Sequence, residues 1–129
     1  FAISPPRELY KKDITIGTGK KVELVKVQKL SVHYSGWLFD TEKQVKNLCE
    51  AKGKLFDKSK SGDGPFTFPI GEGKVIKGWE EGFSEMKVGG KRCLVIPPKY
   101  AYGNRSIPGV IPKNSTLIFE VMLIDYEMK

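Results

Sequence analysis

Two tyrosines beside a proline-rich loop are the side chains with the clearest potential for chemistry in this sequence. Tyr100 and Tyr102 follow a predicted strand at residues 92–96 and precede the loop at residues 104–112, which contains Pro108. An aromatic hydroxyl beside a stiff apolar loop can orient a small, mostly apolar ligand while neighbouring side chains exclude water. The pattern predicts a binding pocket, and any catalysis would have to derive from binding.

The sequence does not indicate covalent or metal-assisted catalysis. His33 is the only histidine, and its place on the polar face of a predicted strand favours an exposed residue over a catalytic base. Cys49 and Cys93 lack metal-ligand spacing. One disulfide between them is possible but not implied, and we expect both thiols to be free. The glycines near Gly71 and Gly90 complete no nucleotide-binding motif, so we expect no metal and no cofactor.

Length and charge narrow the functional classes. The 129 residues suffice for one domain with a single core, and no apolar run approaches the roughly 20 residues of a membrane-spanning helix. The net charge of +7 comes from lysines spread along the chain, which favours a solvated basic surface over specific nucleic-acid binding. The chain starts with Phe1 rather than Met, so we expect that the native start is missing and that a signal peptide, an anchor or a tag was removed.

Alternation of apolar and polar residues predicts an antiparallel sheet. Residues 30–35 alternate strictly, whereas residues 117–124 are apolar on both faces. We therefore expect the second segment to be a central strand covered on both sides. Further strands are predicted at residues 92–96 and at residues 66–68, where Pro69 ends the strand.

Two short helices are also predicted. Trp79, Phe83 and Met86 recur at i, i+4 and i+7, and a glycine pair follows them. A second helix is predicted at residues 42–52, with Thr41 as its N-cap in a capping box. One amphipathic helix among antiparallel strands predicts an α+β domain in which the sheet curls around that helix.

Seven motifs in one order carry a family resemblance. They are VHYSGWL at 32–38, FDKS at 56–59, FTF at 66–68, GEGKVIKGWEEG at 71–82, MKVGGKR at 86–92, IPPKYAYG at 96–103 and LIFEVMLID at 117–125. Together they resemble the FKBP-type peptidyl-prolyl cis–trans isomerases, the macrolide-binding immunophilins, over most of the chain. The resemblance implies an antiparallel sheet of about five strands curled around one short α-helix, with an extra short helix inserted in a hairpin here.

The resemblance also implies which side chains line the pocket and act in it. The implied lining is Tyr34, Phe56, Asp57, Phe66, Val75, Ile76, Trp79, Tyr102, Ile107, Ile111 and Phe119. The implied catalytic residues are Asp57, Tyr102, Phe56, Tyr34 and Phe119. Trp79 would form the floor, and the Ile76 N–H and the Tyr102 hydroxyl would bind ligand carbonyls. Asp57 would act as an orienting and electrostatic residue through the Tyr34 hydroxyl. On spacing alone the phenylalanines fit a plain core better, and the joint alignment reverses that preference.

The function implied is acceleration of X–Pro bond rotation in folding or partner proteins, with inhibition by tacrolimus or rapamycin. An apolar pocket that stabilises the twisted amide needs no nucleophile, metal or cofactor. The alternative is an FKBP-fold binding or chaperone module with little isomerase activity, and a nucleic-acid-binding β-protein is a weaker third. The expected partners are proline-containing polypeptides and macrolides, with no specific nucleic acid and no membrane span, and we expect a monomer.

The sequence departs from the compact family form in two places. Residues 41–52 look inserted in the hairpin before Phe56, as in bacterial relatives of the cell envelope, and are predicted to serve partner contact or hairpin rigidity. This favours a bacterial periplasm or cell envelope, with the cytoplasm as the alternative. Ile107 replaces a histidine of the best-known members, and we expect it over the pocket, favouring apolar residues before proline. Residues 1–9 are assigned to an extended tail and residues 10–129 to the isomerase domain.

Overall fold

An antiparallel sheet with one short helix makes up the fold, in a computed structural model that describes residues 4–60, 62 and 64–129. The elements in chain order are β1 (Tyr10–Thr15), β2 (Val27–Phe39), β3 (Lys52–Lys58), β4 (Phe66–Pro69), α1 (Lys77–Gly82), β5 (Lys91–Ile96) and β6 (Leu117–Met128). Single 3-10 turns lie at Leu24–Lys26, Leu48–Glu50 and Pro98–Tyr100. The sheet order is β1-β5-β6-β2-β3, and β4 pairs with β2. This confirms the α+β class, with six strands rather than about five.

The predicted strands all form, but β6 is buried on both faces only in its first half, whereas the sequence predicts two buried faces throughout. β6 lies in the interior of the sheet, between β5 and β2, as its apolar sequence predicts. Its first half is covered on both faces, because Ile118 and Phe119 point in opposite directions and are 0% and 5% exposed. Its second half is open on one face, where Met122 and Ile124 are 38% and 36% exposed. The expectation of two covered faces is therefore wrong beyond the middle of the strand.

Helix α1 is shorter than the apolar stripe predicts. It ends at Gly82, although Phe83 and Met86 beyond it are buried. The Nη1 group of Arg92, a buried residue of β5, donates to the carbonyl oxygens of Gly82 and Ser84 at 2.8 Å each. Arg92 therefore supplies hydrogen bonds that a further helical turn would have supplied. Among the described residues, no helix is long and apolar enough to cross a membrane.

The sheet carries a separate apolar cluster on each face. Leu94 and Ile96 of β5 belong to the larger cluster on the helix face, together with Trp79 of α1. Cys93 and Val95 alternate with them and point to the opposite face, here called the insert face. The buried residues of the insert-face cluster are Cys49, Ala51, Cys93, Val95 and Ile118, and its partly buried members are Tyr10, Trp37, Phe39, Val45 and Leu48.

The segment inserted before β3 forms this second cover without the predicted helix. The only helical segment within residues 42–52 is the 3-10 turn Leu48–Glu50, so the expectation of a helix capped by Thr41 is wrong. Asn47 caps the turn instead, because its side-chain oxygen accepts from the Cys49 N–H at 3.0 Å. The narrow apolar edge of the segment packs on the sheet, and this needs one turn rather than a full helix.

A disulfide fastens the inserted segment to the sheet. Cys49 and Cys93 are bonded to each other, with their Cα atoms 6.3 Å apart. The expectation of two free thiols is therefore wrong. The two residues are separated by 44 positions in the sequence, and their proximity follows from packing of the inserted segment on β5.

Candidate active site

A cavity of about 480 Å³ lies between α1, strands β2 and β3, and the loop that follows β5. The residues on its wall are Tyr34, Phe56, Asp57, Phe66, Lys74, Val75, Ile76, Trp79, Ala101, Tyr102, Arg105 and Phe119. The structure therefore brings together all of the predicted lining residues except Ile107 and Ile111. Their roles in binding and catalysis stay predictions.

The floor of the cavity is an indole surrounded by other aromatic rings. Trp79 is 5% exposed, and its ring centroid lies 5.1 Å from that of Tyr34, 5.2 Å from Phe68 and 5.3 Å from Phe119. The Trp79 Nε1 atom is buried and has no hydrogen-bond partner among the described residues. A bound group at this floor would meet ring faces and edges rather than water, so the cavity base is strongly desolvating.

Two phenols and one carboxylate supply the polar part of the wall. The Tyr34 hydroxyl donates to Asp57 Oδ2 at 2.9 Å. Burial first, and this hydrogen bond second, raise the pKa of Tyr34 to about 12. Burial also raises the pKa of Tyr102, and the charge of Asp57 adds to that effect. Since even the ordinary tyrosine pKa of 10.0 lies well above neutral pH, both phenols are protonated there and can donate hydrogen bonds.

A β-bulge explains how two consecutive residues of β3 both reach the cavity. Successive side chains of a regular strand point to opposite faces of the sheet. Here Gly36 of β2 pairs with Asp57, whereas the next residue, Trp37, pairs with Leu55. Phe56 is therefore the extra residue of a bulge, and the irregular backbone places Phe56 and Asp57 on the same wall.

A carboxylate of α1 holds the opposite wall in place. Glu80 accepts hydrogen bonds from the backbone N–H groups of Gly71 and Gly73. Both glycines have positive φ, 79° and 68°, which their lack of a Cβ permits. The turn leads into Val75 and Ile76, which are on the wall. The Ile76 N–H has no acceptor within the part of the chain that the structure describes, so it is available to a ligand.

The loop residues Ile107 and Ile111 depart from their predicted places on the wall. Ile111 is 2% exposed and belongs to the core. Ile107 is 37% exposed, and its backbone pairs with that of Ile111 through two hydrogen bonds of 2.8 and 2.9 Å. Neither residue is among those on the cavity wall. The preference for apolar residues before proline through Ile107 stays a prediction.

Three wall residues were not predicted from the sequence. Lys74, Ala101 and Arg105 line the cavity, and each lies one to three positions from a residue that was predicted. Exposed cations and alanines do not contribute to the hydrophobic periodicity from which buried positions are predicted. Their proximity in the sequence to the family motifs was the only signal that could have indicated a place on the wall. His33 lies away from this wall, where its Nδ1 is 3.2 Å from Ser59 Oγ.

Comparisons with known proteins cover the whole of this wall. The family model for FKBP-type peptidyl-prolyl cis-trans isomerase matches residues 20–124. FK506-binding protein 1 of Aspergillus oryzae is 48% identical over 115 residues, which are 88% of this chain and 94% of that protein. Peptidyl-prolyl cis-trans isomerase Fkbp12 of Drosophila melanogaster is 46% identical over 100 residues, 78% of this chain and 82% of that protein. The crystal structure of AtFKBP13 is similar with a TM-score of 0.72 and 34% identity, covering 95% of both chains.

Proposed function

Since this chain belongs to the FKBP-type peptidyl-prolyl cis-trans isomerase family, we propose that its cavity isomerises X–Pro bonds in folding or partner polypeptides. We further propose that tacrolimus and rapamycin bind in the same cavity and inhibit the reaction. The observation that carries the proposal is the aromatic cavity with Trp79 as its floor and two protonated phenols on its wall.

The cavity suits this reaction because of how an amide changes when it twists. Rotation about the bond breaks amide resonance and has a barrier of about 18–20 kcal/mol, so the uncatalysed step takes tens to hundreds of seconds. The twisted amide has a less charged carbonyl oxygen than the planar one, so water stabilises it less. Removal of water at an aromatic wall favours the twisted state relative to the planar state. A barrier lower by about 4–5 kcal/mol gives roughly 10³- to 10⁴-fold acceleration.

The polar groups on the wall would orient the peptide in this environment. The Ile76 N–H and the Tyr102 hydroxyl are donors for carbonyls that flank the rotating bond. Asp57 accepts from Tyr34, so its carboxylate is held at a defined place on the wall. We assign Asp57 an orienting and electrostatic role, because the amide gains and loses no proton during rotation.

A matched pair of tyrosine variants tests the proposal. Tyr102→Phe removes a hydroxyl from the cavity wall. Tyr100→Phe removes a hydroxyl that is not on this wall and that donates to Glu8 Oε1 at a distance of 3.1 Å. One hydrogen bond contributes about 0.5–1.5 kcal/mol. In a protease-coupled assay with a Leu-Pro peptide, we expect Tyr102→Phe to lower kcat/KM about two- to tenfold and Tyr100→Phe to leave it unchanged.

Macrolide binding provides the second readout. Tacrolimus should abolish isomerisation and change the fluorescence of Trp79, with Trp37 on the insert face as a constant background. Isomerisation no faster than the buffer control, together with no macrolide heat in calorimetry, would contradict the proposal. If such a protein still suppressed aggregation of an unfolded client, the binding or chaperone alternative would replace it.

We also propose that the protein works in an oxidising compartment such as the bacterial periplasm or cell envelope. The Cys49–Cys93 bond supports this, since disulfides persist in such compartments and are rare in the cytosol. Acid-quenched thiol labelling in cells of the source organism should leave both cysteines unmodified. Labelling of both would instead favour a reducing cytoplasm.

A further inference from the structure

Two cations on the cavity wall have no acidic partner. Lys74 and Arg105 both line the cavity and are exposed, and neither forms an ion pair within the described residues. Asp57 is the only carboxylate on that wall in the described part of the chain. We propose that Lys74 and Arg105 select X–Pro segments that carry a carboxylate next to the proline. This inference rests on the proposed isomerase function.

Each cation lies within three positions in the sequence of one of the two groups expected to donate to the peptide, the Ile76 N–H and the Tyr102 hydroxyl. Lys74 comes two positions before Ile76, in the segment that Glu80 positions through the preceding turn. The backbone N–H of Arg105 donates to the Tyr102 carbonyl at 2.9 Å. Both cations line the same cavity as the two donors, so a peptide held by the Ile76 N–H and the Tyr102 hydroxyl has its flanking side chains in the cavity that the cations line.

The charges on the wall add up in favour of an acidic peptide. The wall carries two positive side chains and one carboxylate. That carboxylate, Asp57, already accepts a hydrogen bond from Tyr34. The two phenols are neutral at pH 7, since the ordinary tyrosine pKa of 10.0 already lies well above that pH and both pKa values are raised from it. The whole chain has a net charge of +7, which acts in the same direction. Because the two cations are exposed, the preference should be modest, about fivefold for glutamate over glutamine.

The test compares peptides that differ only in charge. Glutamate, glutamine or lysine is placed directly before proline in one set and directly after it in another, and kcat/KM is measured at about 20 mM and 500 mM salt. The variant is Lys74→Gln with Arg105→Gln. The matched control is Lys11→Gln with Lys12→Gln, which removes two exposed cations from β1, at the edge of the sheet and away from the cavity wall.

We expect a glutamate-to-glutamine ratio of about five at low salt in at least one set, for the native protein and for the control. The ratio should fall to near one in the Lys74/Arg105 variant, and also in the native protein at high salt, where screening acts over about 4 Å. A ratio near one in the native protein, or an unchanged ratio in the variant, overturns the inference.

Failure of the proposed function is distinguishable from failure of this inference. A protein that does not isomerise the neutral Leu-Pro peptide contradicts the isomerase proposal. The charge preference is then measured as the ratio of dissociation constants for the glutamate and glutamine peptides, from Trp79 fluorescence. Equal dissociation constants in the native protein would contradict the inference on that readout too.

Discussion

Replacement of Gly36 by alanine should displace two aromatic rings of the cavity wall. Gly36 lies in β2 opposite the bulge of β3 and is buried. An added Cβ would lie 2.7 Å from Phe119 Cε1 and 2.8 Å from Phe56 Cζ. Both rings line the cavity, so the new methyl group would push cavity-lining rings rather than the backbone.

The size of the effect follows from these two distances. Ordinary contacts of a Cβ atom begin at about 3.4 Å, so each ring must move by roughly 0.6–0.7 Å. A misplacement of 1 Å at an active site can cost about 100-fold in rate, which gives about a tenfold loss of kcat/KM here. Overpacking should also lower the free energy of unfolding by about 1–3 kcal/mol.

The assay is isomerisation of a Leu-Pro peptide, with urea unfolding measured in parallel. Gly62→Ala is the matched control, because a Cβ at Gly62 would have no atom within 4 Å. We expect the control to retain both the rate and the stability. A Gly36→Ala protein with unchanged kcat/KM would show that the positions of Phe56 and Phe119 do not govern the reaction, and the reasoning would be refuted.

Three further predictions concern stability. Replacing Cys49 and Cys93 by alanine opens a loop of 44 residues, so the free energy of unfolding in urea should fall by about 4 kcal/mol; a loss below 1 kcal/mol would contradict this. Arg92→Met leaves the buried Gly82 carbonyl, the part-buried Ser84 carbonyl and the Asp13 carboxylate without their donor, so we expect a loss of about 3 kcal/mol, checked by the urea midpoint against native protein. Burial first, and the hydrogen bond to Asp57 second, raise the folded pKa of Tyr34 to about 12 from its ordinary value of 10.0, so the stability linked to its protonated form is complete below pH 10 and lost as the pH rises through 12. The stability difference between native protein and Tyr34→Phe, measured from pH 8 to 12, should therefore shrink at the alkaline end, and a constant difference would argue against this bond as its source.

Much of the fold could be read from local patterns. The alternation in β2, the strand before the tyrosines and the short strand that ends at Pro69 are present as predicted. Each depends on residues within about ten positions, where the period of side-chain directions is set by the backbone itself. The family resemblance, carried by seven ordered motifs, indicated most of the residues on the cavity wall.

Local patterns failed where a distant partner decided the outcome. The apolar stripe of α1 predicted a longer helix, but Arg92 of β5 takes up the carbonyls at its end. The segment before β3 had a capping box and an apolar edge, yet it packs as a loop on the insert face. In both cases a contact from another strand outweighed a weak helical propensity.

The sequence by itself determined the predicted strands, the short helix that contains Trp79, the family and the set of aromatic side chains available for a pocket. The tertiary structure alone decided that Phe56 and Asp57 share one wall through a bulge, that Cys49 bonds to Cys93, and that Lys74 and Arg105 line the cavity. Periodicity fixes the direction of a side chain relative to its neighbours in the chain. Register, bulges and packing fix its position relative to segments far away in the chain, and these depend on how all the strands pair at once.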